Sequence, residues 1–423
     1  MTHSSPITFS NFAQGLAAET AFDVLAVAKR LKAEGKDIIE LQIGDSPFPT
    51  TKNAHAAGIR AIEANETHYC PSLGWPSFRE TVAKNYRQEF RVPVSAENVV
   101  VGCGAKVFEQ FFCEAVLNPG DAVLVFTPHF PTYGPNIERR GAVAVYSPLR
   151  QENQFRPDLD DVDRFVKTHS RAKAIFLNTP HNPTGGVATK DDLRRLAEAV
   201  RGRDIAVFSD EPYCHMAWQG EHHPLLAEDG MLDQVVAAYT FSKSYSMSGW
   251  RLGYAVASTR FVDTIGKMIN TSLSCVPPLV QLAGQAALEK DAAERDEVMQ
   301  RFRSKVELLV AELRKVDGVQ VIMPAGTFYA FPDVSAICRR LAITSHGLAM
   351  YLLEGADERQ GVACLGGECF GPAGQGFLRF SCAEPDDRLG QAVRFFADAV
   401  TRTDRVRRYL ENHPQYRPAG RFG

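Results

Sequence analysis

Seven short apolar runs in the middle of the chain constrain the fold more than any other feature. They are Val99–Val101, Ala122–Phe126, Ala142–Tyr146, Ala172–Leu177, Ile205–Phe208, Val235–Tyr239 and Tyr254–Ala257. Each has strand length and is apolar at successive positions, so both of its faces must be covered. Stretches of helical periodicity separate them. Strands alternating with helices predict an α/β fold, a large domain whose mainly parallel seven-stranded sheet carries helices on both faces. The chain has 423 residues, too many for one ordinary core, so a second, smaller domain is expected. Beyond Thr259 the pattern turns helical, with a long charge-rich amphipathic segment over Ala292–Val316. Short strands are expected at Val319–Met323, Gly326–Phe331 and Phe377–Ser381. These form a smaller α+β domain from the C-terminal part and an N-terminal segment. The expected partition is 1–45 (arm and small-domain segment), 46–285 (large domain) and 286–423 (small domain).

The N-terminal segment reads as a polar arm to about residue 20 and a helix near Ala21–Glu34 with Val24, Leu25, Ala28 and Leu31 on one face. A strand over Ile38–Ile43 then enters the elbow Gly44-Asp45-Ser46-Pro47-Phe48-Pro49. A second turn-rich loop, His68–Pro76, precedes a helix that Pro76 opens at its first position. The chain ends in a polar tail, Pro414–Gly423.

A net charge of −3 argues against nucleic acid as a partner. Nine scattered cysteines, with no Cys-x-x-Cys, fit neither a disulfide framework nor a zinc site, and point to reduced thiols in a cytoplasmic enzyme. The N-terminus lacks a basic region followed by an apolar one, so no secretory signal is expected. The uncharged stretch Met268–Leu288 contains Asn270, Thr271, Pro277 and Pro278 and does not read as a membrane span. The histidines, His222 and His223 included, form no metal-ligand pattern and read as surface residues.

Four stretches carry chemistry. Val101-Gly102-Cys103-Gly104-Ala105-Lys106 links a strand to a helix. A helix start offers N–H donors and positive dipole, which suits a phosphate, although a glycine turn needs no ligand. Asn178-Thr179-Pro180-His181-Asn182-Pro183-Thr184-Gly185-Gly186 is a rigid turn after a buried strand. The Asn182 amide suits a ring hydroxyl, and a purely structural turn is equally compatible. Asp210, in Ser209-Asp210-Glu211-Pro212-Tyr213, stands at the C-terminal end of a strand, where ligands gather in open α/β sheets. It either caps a turn or pairs with a pyridinium nitrogen. Lys243 lies between apolar runs, eight residues before Arg251 in Gly249-Trp250-Arg251-Leu252-Gly253. An amine drawn into a partly desolvated cleft is a carbonyl nucleophile, and an arginine beside it is a fixed anion site.

Together and in this order, the four stretches resemble the pyridoxal-phosphate-dependent aminotransferases of class I/II, the aspartate aminotransferase superfamily of fold type I. The resemblance runs from about Ile38 to Ser381. It implies pyridoxal 5'-phosphate as cofactor and Lys243 as its Schiff-base lysine and proton carrier. It implies Asp210 as partner of the pyridinium nitrogen and Asn182 and Tyr213 as ligands of the ring oxygen. Gly104, Ala105 and Lys106, with Thr240, Ser242 and Arg251, would hold the phosphate. Phe130 would stack on the ring, with His129 a competitor. Arg379 would fork onto the substrate α-carboxylate, with Asn182 and the Gly44 backbone beside it. Tyr69 would reach the phosphate of a neighbouring subunit, which implies a homodimer with shared active sites.

The implied reaction is ping-pong transfer of an amino group between an L-amino acid and a 2-oxo acid. Lys106 matches a position that holds a distal carboxylate in one subgroup. That favours aspartate or glutamate with oxaloacetate or 2-oxoglutarate, if the lysine does not simply face solvent. Aromatic or other neutral amino acids stay open, because Phe130, Tyr133 and Phe328 could line an apolar pocket. A pyridoxal-phosphate lyase or synthase on the same fold is the other alternative. The loop Gly44-Asp45-Ser46-Pro47 departs from the family's usual Gly-x-Pro-Asp-Phe, so its substrate contacts are open.

Overall fold

The computed structural model describes residues 7–16 and 20–418. Parts of the expected arm (residues 1–6 and 17–19) and of the polar tail (residues 419–423) lie outside the described residues. Within the arm, Asn11–Gly15 is a short helix rather than a loop.

The seven apolar runs form one sheet. Its strands are β2 (Val99–Gly102), β3 (Ala122–Thr127), β4 (Val143–Pro148), β5 (Ala172–Asn178), β6 (Ala206–Asp210), β7 (Val235–Thr240) and β8 (Gly253–Val256), in the order β2-β8-β7-β6-β5-β3-β4. β3, β4, β5, β6 and β7 pair in parallel, and β8 runs antiparallel to both its neighbours. Successive side chains enter opposite cores, as strand geometry requires. Val100, Val123, Val125, Phe176 and Phe208 pack under the helices Lys106–Val116 and Thr259–Ser272. Val99, Val101, Leu124, Ile175, Leu177 and Val207 join the core on the other face. β4, an edge strand, departs from this pattern: Val143 and Tyr146 are exposed.

The small-domain strands are β1 (Asp37–Glu40), β9 (Tyr329–Ala330), β10 (Gln360–Ala363), β11 (Leu365–Gly366) and β12 (Leu378–Ser381). β1 pairs in parallel with β10, which ties the N-terminal segment to the C-terminal part. β12 is the centre of an antiparallel trio with β11 and β9. The expected strand Val319–Met323 is only a bridge, Gln320 to Asp333. The expected strand Gly326–Phe331 is reduced to β9, because Ala325 and Gly326 turn away to the large domain. There Trp218 N–H donates to Ala325 O at 2.6 Å and Gly326 N–H to Gly185 O at 2.9 Å. Pro76 does open the helix Pro76–Phe90, and Ala292–Leu313 is the long helix leading into the small domain.

Candidate active site

The sheet's topology assembles the site. Asn178, Asp210, Thr240 and Gly102 end four strands that all point the same way. Because β8 is antiparallel, its first residue, Gly253, sits between Gly102 and Thr240 on that same edge. The segment feeding β8 therefore crosses the site, and Arg251 takes a left-handed conformation there (φ 56°). Opposite stands the small domain, with β12 presenting Arg379 and β9 presenting Tyr329.

Between them lies a cavity of about 540 Å³. Its wall includes Gly44, Ala105, Lys106, Phe130, Asn182, Asp210, Tyr213, Thr240, Ser242, Lys243, Arg251 and Arg379, residues far apart in sequence. Tyr69 is not on this wall and is 89% exposed. His129 is buried, with Nδ1 3.2 Å from Thr127 Oγ1, and burial holds its imidazole down at about 4.

Lys243 sits on the single helical turn Phe241–Ser244, which Thr240 caps by accepting from Ser242 N–H at 3.2 Å. Its amine donates to the Gly44 carbonyl. The Gly44 loop docks on the lysine's own segment: Ser46 Oγ meets Ser246 Oγ at 2.7 Å, and Thr50 Oγ1 donates to Ser246 O at 2.9 Å. Ser46, one of the residues that differ from the family's usual loop, thus helps hold it against the lysine's segment. Gly44 has no room for a side chain, since a Cβ there would lie 1.8 Å from Tyr329 Oη.

Asp210 is buried and accepts a hydrogen bond from Tyr133 Oη at 2.6 Å. Burial pushes its carboxyl up to about 7, against the pull of the Tyr133 hydroxyl, and nearby Glu211 adds to the rise. A carboxyl so placed favours a cationic partner. Glu211 is itself fully buried, accepting from Ser209 Oγ and Tyr239 Oη at 2.6 Å each and pairing with His222 Nε2 at 2.6 Å. This corrects the surface reading of His222, whose side chain is 3% exposed. His223, 2.8 Å from Glu228, is 25% exposed.

Arg379 is also buried. Its fork donates to Asn182 Oδ1 at 2.9 Å and to Gln42 O at 2.6 Å, and its plane lies over Tyr329 and Phe370 at 4.3 and 5.0 Å. Its Nε is buried with no hydrogen-bond partner among the described residues. Tyr213 Oη lies 3.0 Å from Tyr329 Oη.

At the other end, the Gly104 N–H is spent on Gly102 O at 2.8 Å, so this glycine contributes space rather than a donor. It has φ +84°, and a Cβ there would lie 2.6 Å from Arg251 Nη2. Arg251 also donates to Ser248 O at 2.8 Å and Cys103 O at 3.3 Å. Thr240 and Ser242 hydroxyls, 2.8 Å apart, complete this corner.

The donor set fits a phosphorylated pyridine aldehyde. One end of the cavity has a guanidinium, two hydroxyls and a helix start. An amine stands in the middle, and a buried carboxyl that favours a cation completes the set.

Sequence reasoning missed Tyr133 as the partner of Asp210 and assigned it to an apolar pocket; its hydroxyl is committed to the carboxylate. Phe328 was also misplaced. It is fully buried behind the wall, and the neighbouring Tyr329 lines the cavity instead. Strand alternation within Gly326–Phe331 would have separated the two, had the register been known.

A mainly parallel, helix-covered sheet with a lysine, a carboxyl and two arginines at this edge defines a pyridoxal-phosphate enzyme of the aminotransferase type. The chain belongs to the class I and II aminotransferase family, whose model matches residues 36–396. A probable aspartate/prephenate aminotransferase of Aquifex aeolicus is 35% identical, over 89% of this chain and 94% of that protein. An arginine–pyruvate transaminase of Pseudomonas aeruginosa is 30% identical, over 92% and 97%. Among solved structures, Thermus thermophilus aspartate aminotransferase with maleate superposes with a TM-score of 0.86 at 29% identity, covering 93% of this chain and 100% of that one. The chain is a pyridoxal-phosphate-dependent transaminase. Among the described residues, no helix is long and apolar enough to cross a membrane, and no His/Cys/Asp/Glu group could hold a metal.

Proposed function

We propose that the cavity at Lys243 transfers an amino group between glutamate or aspartate and a 2-oxo acid. The carrying observation is the convergence of Lys243, Asp210, Asn182, Tyr213, Arg251 and Arg379 on one cavity. Pyridoxal phosphate, when bound, supplies an electrophilic carbonyl carbon and an electron sink. Arg251, Thr240, Ser242 and the backbone of Ala105 and Lys106 hold its phosphate, with Gly104 leaving room for Arg251. Asp210 balances charge on the ring nitrogen, and Asn182 and Tyr213 orient the ring oxygen. Phe130 covers the ring face. Arg379 takes the substrate α-carboxylate in its fork, beside Asn182 and the Gly44 backbone. Lys243, freed from the Gly44 carbonyl, would carry the proton between the substrate α-carbon and the cofactor carbon C4′, the shift that amino transfer requires.

Lys106 is proposed to meet a distal carboxylate, a reading supported by its position on the cavity wall, with its amine 5.1 Å from the Phe130 ring centroid. The names of the Aquifex and Thermus relatives support an acidic substrate. Tyr69 is proposed to complete the site of a second copy, giving a homodimer. Its exposure, with that of Ile59, Ile62 and Leu273, supports this. Nine free thiols support a cytoplasmic setting. The partition 1–45, 46–285 and 286–423 is supported by the β1–β10 pairing.

Incubating the holoenzyme with glutamate alone tests the reading. Conversion to the pyridoxamine form with release of 2-oxoglutarate is expected; ammonia without that conversion would count against it.

A further inference from the structure

Behind the lysine stands a polar cluster that no role above uses. Its centre is His215, five residues after Asp210 on the segment that also carries Tyr213. His215 Nε2 lies 2.7 Å from Oε1 of Glu89, on the helix Pro76–Phe90, and 2.9 Å from Nη1 of Arg295, on the helix Ala292–Leu313. His215 Nδ1 meets Ser244 Oγ at 2.8 Å, with Cys214 Sγ at 3.5 Å. Arg295 Nη1 is 3.3 Å from Glu89 Oε1 and donates to Tyr245 Oη at 3.3 Å. Ser244 and Tyr245 directly follow Lys243 in the chain, and both are buried.

A carboxylate only accepts, so the contact with Glu89 places the imidazole hydrogen on Nε2 and leaves Nδ1 to accept from the Ser244 hydroxyl. Burial holds the imidazole below its ordinary value against the pull of Glu89, and Arg295 adds to the fall. Carboxylate, imidazole and hydroxyl in a row are also the parts of an activated serine nucleophile. Ser244, however, is 2% exposed and is not on the cavity wall, so it meets no substrate.

The cluster grips the turn that carries the amine. Phe241–Ser244 is a single helical turn, marginal without tertiary contacts. We infer that His215 is a positioning residue for Lys243: held by Glu89, it fixes the lysine's turn through Ser244 against the segment that carries Asp210 and Tyr213. This rests on the reading of Lys243 given above. A reacting group displaced by about 1 Å loses rate steeply, so this tie matters to an amine on a long side chain.

The test uses the full-length protein, freed of cofactor by dialysis and then given pyridoxal phosphate or pyridoxamine phosphate. With the first, the Lys243 amine adds to the aldehyde carbon and water leaves, a step that visible absorbance follows. The second has no aldehyde and reports binding alone. Ser244→Ala should slow bond formation about tenfold, the worth of one hydrogen bond, and leave the affinity for pyridoxamine phosphate within about twofold of native. His215→Gln, which reaches Glu89 but not Ser244, should match it. His215→Asn, whose amide stands in for Nδ1 towards Ser244, should keep most of the native rate. An unchanged rate in Ser244→Ala would overturn the assignment. Equal losses for the two cofactor forms would overturn it too, as the mark of a site merely loosened. A Lys243→Ala variant that bonds the aldehyde at the native rate would instead strike the reading of Lys243 itself.

Discussion

The Tyr133 hydroxyl donates to Asp210 Oδ2 at 2.6 Å, deep in the sheet edge where neither group meets solvent. The bond aims the carboxylate and offsets part of the desolvation that raises its affinity for a proton. Tyr133→Phe removes the donor and keeps the ring. It should weaken cofactor binding by about tenfold, the usual worth of one buried bond to a charged group. Measuring cofactor release under dialysis decides the matter; an unchanged affinity would remove Tyr133 from the site.

Asp210 makes the cofactor-free protein sensitive to pH. Its carboxyl is held at about 7 in the fold against an ordinary value of 3.8. The folded state keeps the proton that the unfolded chain has lost, so the contribution to stability is full below 3.8 and disappears as pH rises through 7. Asp210→Asn cannot ionise. Its cofactor-free form should gain on the native one with rising pH, by on the order of 1–3 kcal/mol at about pH 8. Thermal unfolding at about pH 5 and about pH 8 measures the gap, and a gap independent of pH would refute the argument.

Lys243→Ala should eliminate the visible absorbance of the lysine-bound cofactor and lower turnover by more than about a thousandfold, since proton transfer at the α-carbon loses its carrier. Circular dichroism should be unchanged, because the amine's bond to the Gly44 carbonyl joins two segments already tied through Ser46 and Ser246. A variant with full activity would overturn the role.

Lys106→Ala should reduce kcat/KM for glutamate and aspartate by about 10- to 100-fold, the range for a charged hydrogen bond. The loss for alanine should be smaller. Equal losses across the donor panel would assign Lys106 to the phosphate corner alone.

Gly44→Ala would place a methyl group 1.8 Å from Tyr329 Oη, so Tyr329 or the Gly44 loop must shift. Because the Gly44 carbonyl holds the Lys243 amine, kcat should fall while the protein stays folded. The double variant with Tyr329→Phe, which deletes the clashing oxygen, should recover part of the rate. Additive losses would show that the two residues do not act through this contact.

Much of the sheet was legible because burial on both faces of a strand leaves a run of apolar residues. Val99–Val101 and Val235–Tyr239 became strands within a residue of their expected ends. The small domain was less legible. Val319–Met323 has strand composition, but it makes only an isolated bridge. β11 has only two residues, and β10, Gln360-Gly361-Val362-Ala363, lacks a continuous apolar run to mark it in sequence. His222 looked like a surface histidine because the partner that buries it, Glu211, is eleven residues away on the other side of a turn.

The sequence by itself determined the chemistry available: an amine at 243, an amide at 182 and a guanidinium at 251 in turns near strand ends, a carboxylate at 210 ending a strand, and a guanidinium at 379 within one. These are local facts, set by residue type and by the glycines and prolines around them. The tertiary structure alone decided which side chains face one another. The antiparallel β8 brings Arg251 against Gly104. β12 carries Arg379 to Asn182, and Tyr133 turns from an apolar wall into the partner of Asp210. Such pairings depend on strand order and register, which join residues tens to hundreds of positions apart, and no periodicity along the chain records them.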